Sequence, residues 1–156
     1  MFAAPQRALD LFSQSYNCAQ SVYAASGKGN LTTAQRLSLA APFGGGVARH
    51  GEVCGALTGA LMALGEAAEA ALAADSEGAR HTLYEQSAQL LEAFRQRFGA
   101  IRCHDLTGCD FNHPEEKEDF QQSGKRESVC CRVVAFAAEK AASVISIASA
   151  PDPDLR

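Results

Sequence analysis

Apolar positions near the start of the chain return every three to four residues. Ala8, Phe12, Tyr16, Ala19 and Tyr23 fall at helix spacing. Pro5 suits the first turn of a helix, where its missing N–H does no harm. The pattern predicts one helix from Pro5 to about Ser26, stopped by the run Gly27-Lys28-Gly29-Asn30. Thr32 or Thr33 can cap a short second helix to about Ala41, which Pro42 and Gly44 to Gly46 end. A third helix is expected from about Glu52 to Ala73. A fourth should run from near Ser76 to near Gly99, with Leu83, Leu90, Leu91, Phe94 and Phe98 on its apolar side. Residues 103–127 are polar and rich in turn formers, and read as a short helical turn followed by a loop. Ser128 is placed to cap a last helix to about Ala148.

No segment alternates apolar and polar residues in the strand period. The predicted fold class is therefore all-α, a bundle of about four main helices plus short helices and a glycine-rich loop. Residues 1–150 are expected to form a single helical domain, with 151–156 as a flexible tail.

Composition sharpens this picture through the cysteines. A chain of 156 residues with 47% hydrophobic content can build a core without disulfide staples, so its six cysteines need another explanation. The net charge of −4 and the scatter of the cationic side chains argue against nucleic acid as a partner. The N-terminal stretch lacks a basic segment followed by an apolar one, so no signal peptide is expected. The longest apolar stretch is interrupted by Glu66 and Glu69, read here as a solvated face, so no membrane insertion is expected. The expected location is the cytoplasm, where cysteines serve metal binding or redox chemistry more often than permanent disulfides.

The six are Cys18, Cys54, Cys103, Cys109, Cys130 and Cys131. No CxxC and no CxxCH occurs, which removes thioredoxin-type dithiols, zinc-ribbon spacing and covalent c-type haem. Cys54 starts an inward stripe with Leu57, Leu61 and Leu64. Cys130 starts another with Val134, Ala137, Ala141 and Val144. Both are expected in the first turn of a helix, where unpaired N–H groups and the dipole favour a thiolate. Cys18 shares a face with Leu11 and Val22, and Cys103 follows the fourth helix. Gly51, Gly55 and Gly59 recur every four residues and offer a face without side chains, against which a second helix or a cofactor can come close. Gly44, Gly45 and Gly46 let the chain turn and free backbone N–H groups for a bound group. His50 would share the Cys54 face if the helix continued back to it, making it a candidate ligand or second donor. His104 and His113 read as solvated. No Ser–His–Asp set, HExxH or nucleotide fingerprint is present, so a hydrolase or dehydrogenase is not expected, and whether the chain is an enzyme stays open.

"YNCAQSV", "GGGVARHGEVCGALTGALMALG", "IRCHDLTGCDF" and "CCRVV" occur in this order between residues 16 and 134. Together they resemble a family of redox-active proteins named after a C…CGAxxG…C…C pattern, here with "CGALTG" at residues 54–59. The resemblance spans about residues 8–145. It implies a small helical protein with a redox or metal role and four characteristic cysteines, carried over as Cys18, Cys54, Cys103 and Cys130. Cys109 and Cys131 are then extras, either of which could stand in for its neighbour. The four are expected to converge at one end of the bundle near the glycine loop, because the fourth helix returns the chain to the end where Cys54 sits.

Four function classes follow. The first is electron transfer or redox sensing through an iron–sulfur cluster on four thiolates, with Gly44, Gly45, Gly46 and Gly55 giving it close backbone approach. The others are a thiol–disulfide protein using Cys103 with Cys109 or Cys18 with Cys54, a structural zinc site, and a scaffold with inert cysteines. Ligand softness and spacing place the cluster first. An unidentified redox partner protein is implied, and a homo-oligomer is left open.

Overall fold

The computed structural model describes residues 3–148. Among them the α-helices are, in chain order, α1 (Ala4–Ser13), α2 (Cys18–Ser26), α3 (Thr33–Ala40), α4 (Gly55–Ala67), α5 (Glu69–Ala74), α6 (Ser76–Phe98), α7 (Cys103–Thr107), α8 (Pro114–Gln122) and α9 (Cys131–Ala148). The class is all-α, as the periodicity implies. No strand occurs among the described residues beyond one isolated antiparallel bridge between Val53 and Arg102. No helix among them is long and apolar enough to cross a membrane. The expected tail, 151–156, lies outside the described residues.

Several expected boundaries move, each for a local reason. The single helix over 5–26 is two. The chain turns at Ser15, whose φ is 71°, and Asn17 restarts it with a capping box. The Asn17 side chain accepts from the Gln20 amide, and the Gln20 side chain accepts from the Asn17 amide, both at 3.0 Å. α3 starts as expected on Thr32, which forms the same box with Gln35. α4 begins at Gly55 rather than Glu52, with Cys54 as its N-cap, and the third helix breaks at Ala68 into α4 and α5. α6 matches its expected span, opened by Asp75 capping the Gly78 amide at 3.1 Å and closed by left-handed Gly99 at φ 83°. The expected loop over 108–127 contains a helix, α8, with Pro114 in its first turn and Glu115 and Glu116 beside its positive end. Ser128 is not a cap. It sits within a π-helical turn, Arg126–Cys130, and its hydroxyl donates back to the Gly124 carbonyl at 3.0 Å.

One core joins α1, α2, α4, α6 and α9. Val22, Leu57, Phe94 and Val134 are fully buried in it, among the alanines Ala8, Ala60, Ala63, Ala137 and Ala141. Side chains this small let helix backbones approach closely. Gly59 is the extreme case, since a Cβ there would collide with the Ala19 carbonyl of α2. Gly51 does not belong to this face. It lies before the helix with φ 70°.

Glu66 is not on a solvated face. Arg36 of α3 grips it with two bonds, Nη2 to Oε1 at 2.6 Å and Nε to Oε2 at 2.8 Å. The two side chains are only 10% and 5% exposed. α3 packs on α2, and from there the Arg36 side chain reaches across to cover the carboxylate of α4. Glu69 remains exposed.

Candidate functional site

The site is built on a left-handed turn. Five consecutive residues, Gly45, Gly46, Val47, Ala48 and Arg49, have φ of 65°, 71°, 59°, 50° and 68°. Each non-glycine residue there costs about 1–2 kcal/mol. Hydrogen bonds hold the turn: Ala48 N–H to the Pro42 carbonyl at 2.7 Å, Gly51 N–H to Gly45 at 3.1 Å and Glu52 N–H to Gly46 at 3.0 Å. The Asn112 side chain adds a donor to the Arg49 carbonyl at 3.1 Å. The glycines are needed where the turn meets the cysteines. A Cβ on Gly46 would lie 2.7 Å from Cys103 Cβ, and one on Gly55 would lie 2.5 Å from Cys18 Sγ.

Each of the four cysteines is placed by its own element. Asn17 caps α2, so Cys18 is its first residue, and amides of Gly45, Ala19, Cys18 and Ala56 face the Cys18 sulfur. Cys54 is the N-cap residue of α4 without a side-chain capping hydrogen bond, and the nearby amides of Ala56 and Leu57 act on its thiol. The Ala56 amide thus serves both sulfurs. Cys103 opens α7. It is brought to Cys54 by a short backbone pairing, with Cys54 N–H donating to Ile101 at 2.8 Å and Cys103 N–H to Glu52 at 2.7 Å. Cys130 ends the π turn.

The four form one electrostatic group. The charge of Cys18 acts on Cys54, Cys103 and Cys130, and that of Cys103 acts on Cys54 and Cys130, while the flanking Cys109 and Cys131 act on Cys103 and Cys130 respectively. Cys18, Cys103 and Cys130 line a single open cavity of about 800 Å³, whose rim includes Gly44 and Gly45. Cys54 lies buried behind them, 4% exposed. Gly46 and Gly55 pack against the thiols rather than facing the cavity.

Helix N-termini hold Cys18, Cys54 and Cys103, but not Cys130. Backbone amides pull Cys18 and Cys54 toward ionisation and the Thr107 hydroxyl does so for Cys103, yet burial outweighs them. Burial lifts Cys18, raises Cys54 well above the ordinary thiol value, and pushes Cys103 and Cys130 up to about 12, with neighbouring cysteines adding to the last three. The expectation that helix position alone favours thiolates here is therefore corrected. The apolar core beneath the site penalises charge more than the amides reward it.

The remaining candidates fall outside the cavity. Cys109 is 3% exposed and donates its thiol proton to the Glu116 carbonyl at 3.4 Å. Cys131 opens α9 near Arg126 and Glu127. His50 is exposed and pairs its Nδ1 with the Ala48 carbonyl at 3.0 Å. It precedes Gly51, so no continuous helix carries it to the Cys54 face. His104 and His113 are exposed, the latter 3.4 Å from Asp110. Among the described residues, no three His, Cys, Asp or Glu side chains stand close enough to hold a single metal ion.

Asn17 and Arg126 were missed from sequence. Asn17 carried a readable signal, the Asn-x-x-Gln capping pattern. Arg126 carried none. Its place over the Phe12 ring, 3.9 Å from the centroid, depends on a contact 114 residues apart in the chain.

One family profile, described as "Putative redox-active protein (C_GCAxxG_C_C)", matches residues 16–144, most of the chain. Its label puts a glycine before the motif cysteine, whereas here Gly55 follows Cys54. Neither a curated protein nor a solved structure matches the chain.

Proposed function

The chain belongs to the C_GCAxxG_C_C family, and from that premise we propose that it transfers electrons or senses redox state through an iron–sulfur cluster held by Cys18, Cys54, Cys103 and Cys130. The observation that carries the reading is the donor set. Three thiols line one cavity, a fourth lies directly behind, and no carboxylate or imidazole lines the same space. An all-sulfur set suits iron–sulfur chemistry or zinc rather than magnesium, calcium or manganese. The spacing then favours the cluster. A single zinc ion needs its sulfurs about 2.3 Å from one point, and no such grouping is present among the described residues. A cluster spreads its ligands over several irons and accepts sulfurs standing farther apart.

The raised thiols point the same way. In exchange chemistry the best attacking thiol ionises near ambient pH, and Cys103 and Cys130 at about 12 do not. Coordination removes that obstacle, because a bound metal deprotonates its thiol ligands outright. A cluster supplies one-electron chemistry. The chain's own part is to present four sulfurs, to direct the Gly45 and Ala56 amides at them, and to keep water from Cys54.

Anaerobic purification tests this. The expected product is brown, absorbs in the visible, and contains iron and acid-labile sulfide, both lost in Cys18→Ser. A colourless parent protein without iron or sulfide would refute the cluster. Zinc content would then indicate the zinc reading, and a reversible loss of two thiols on oxidation the disulfide reading.

A further inference from the structure

The cavity over the thiols has a charge pattern opposite to that of the whole chain. The chain carries 18 Asp and Glu against 14 Lys and Arg. The charged side chains lining the cavity are nevertheless Arg49 and Arg126, with no acidic residue among the lining. Neither arginine has a carboxylate within ion-pair distance among the described residues. Arg126 is half-buried and fixed in place. Its Nη2 donates to the Phe12 carbonyl at 2.6 Å, and its guanidinium lies over the Phe12 ring. That contact uses one of five N–H donors and leaves the rest of the fork available. Withdrawing a cation from water without a counter-charge is costly, and a guanidinium is the side chain best matched to a two-oxygen anion.

The walls add a second requirement. Phe12, Tyr16, Phe111 and Phe120 line the same space, with the Phe111 and Phe120 rings 5.0 Å apart. About 800 Å³ is well beyond the needs of a bare inorganic ion and within the range of small-molecule sites.

The geometry points to a binding site for a small organic anion with an apolar or aromatic body, its oxyanion group on Arg126 and Arg49, its body against the phenyl rings, and the thiol floor beneath it. This deepens the redox reading by naming the ligand class of the same cavity. The binding itself stands on the arginines and the aromatic walls, not on the cluster.

Calorimetric titration of the full chain with 1-naphthoate, its neutral analogue 1-naphthamide and inorganic phosphate tests it. Naphthoate is expected to bind, with the amide weaker by about tenfold or more for want of the charge-assisted hydrogen bond, and phosphate weaker by about tenfold or more for want of apolar surface to bury. Arg126→Gln should weaken naphthoate by a similar factor, Arg126→Lys by less, and Arg49→Gln should weaken it without touching Phe12. Circular dichroism checks that each variant is folded, and Arg49→Gln keeps the test open should Arg126→Gln not fold. Equal binding of naphthoate and naphthamide, no binding of naphthoate to folded protein, or unchanged affinity in both glutamine variants overturns the site. Phosphate binding as tightly as naphthoate removes the apolar body from the proposal. Iron and sulfide measured on the same samples report the cluster separately, so naphthoate binding to iron-free protein would leave this site standing while the cluster fell.

Discussion

At the scale of single residues, buried charge and backbone strain decide most. Glu66 is held below its ordinary value near 4.5 by the Arg36 hydrogen bonds. A depressed carboxylate adds stability that is present above its unfolded pKa and is lost as pH falls through the folded one. The chain should therefore lose stability below about pH 4.5, and Glu66→Gln should flatten that acid limb in urea titrations. Glu66→Ala leaves Arg36 buried and unpaired, and should cost about 3–5 kcal/mol by the same measurement. The thiols have the opposite sign. Cys103 and Cys130 rise from 9.0 to about 12 on folding. They add stability fully present below pH 9 and lost as pH climbs toward 12, so metal-free protein should weaken in that alkaline window. At the left-handed turn, Ala48→Gly removes a Cβ that disfavours φ of 50°. It should raise stability by about 1 kcal/mol, read as a higher melting temperature. A fall would mean that the Ala48 methyl group makes a contact worth more than the strain.

At the scale of elements, the contact between α2 and α4 sets the site. Their N-termini carry Cys18 and Cys54 and share the Ala56 amide. Gly59 keeps the two backbones touching. Gly59→Leu should cost at least about 1–3 kcal/mol through overpacking. Because it drives α2 from α4, on the proposed cluster reading it should also lower iron content, measured per mole of folded protein. Normal melting and normal iron in that variant would separate the helix contact from the site. Helix periodicity along the chain set out the approximate course of α3, α6 and α9. It did not show the break between α1 and α2, because apolar spacing continues across the left-handed turn at Ser15 that ends α1 before the Asn17 capping box starts α2. It also missed α8, whose exposed, charged sequence carries no apolar stripe.

At the scale of the whole molecule, four thiols from positions 18 to 130 meet because the core packs α1, α2, α4, α6 and α9 together. A group bound by all four ties the elements to one another, and binding to the folded state alone stabilises it by mass action. On the proposed cluster reading, anaerobic treatment with an iron chelator should lower the melting temperature, while a four-serine variant should melt at the same temperature with or without chelator.

The local residue pattern sufficed for the helical class, since apolar residues at a spacing of three to four can bury one stripe only as helices. It also determined which cysteines begin inward stripes, and that a glycine run must turn the chain beside one of them. Packing between distant segments set Cys18 at a helix start beside Cys54, wound residues 45–49 left-handed, and buried Glu66 under Arg36. It alone placed Arg49 and Arg126 on the cavity above the thiols. Each of these depends on segments far apart in the chain, whose meeting is set by how the small-residue helix faces pack and by the cost of burying charge. Neither is written in the local pattern of any one segment.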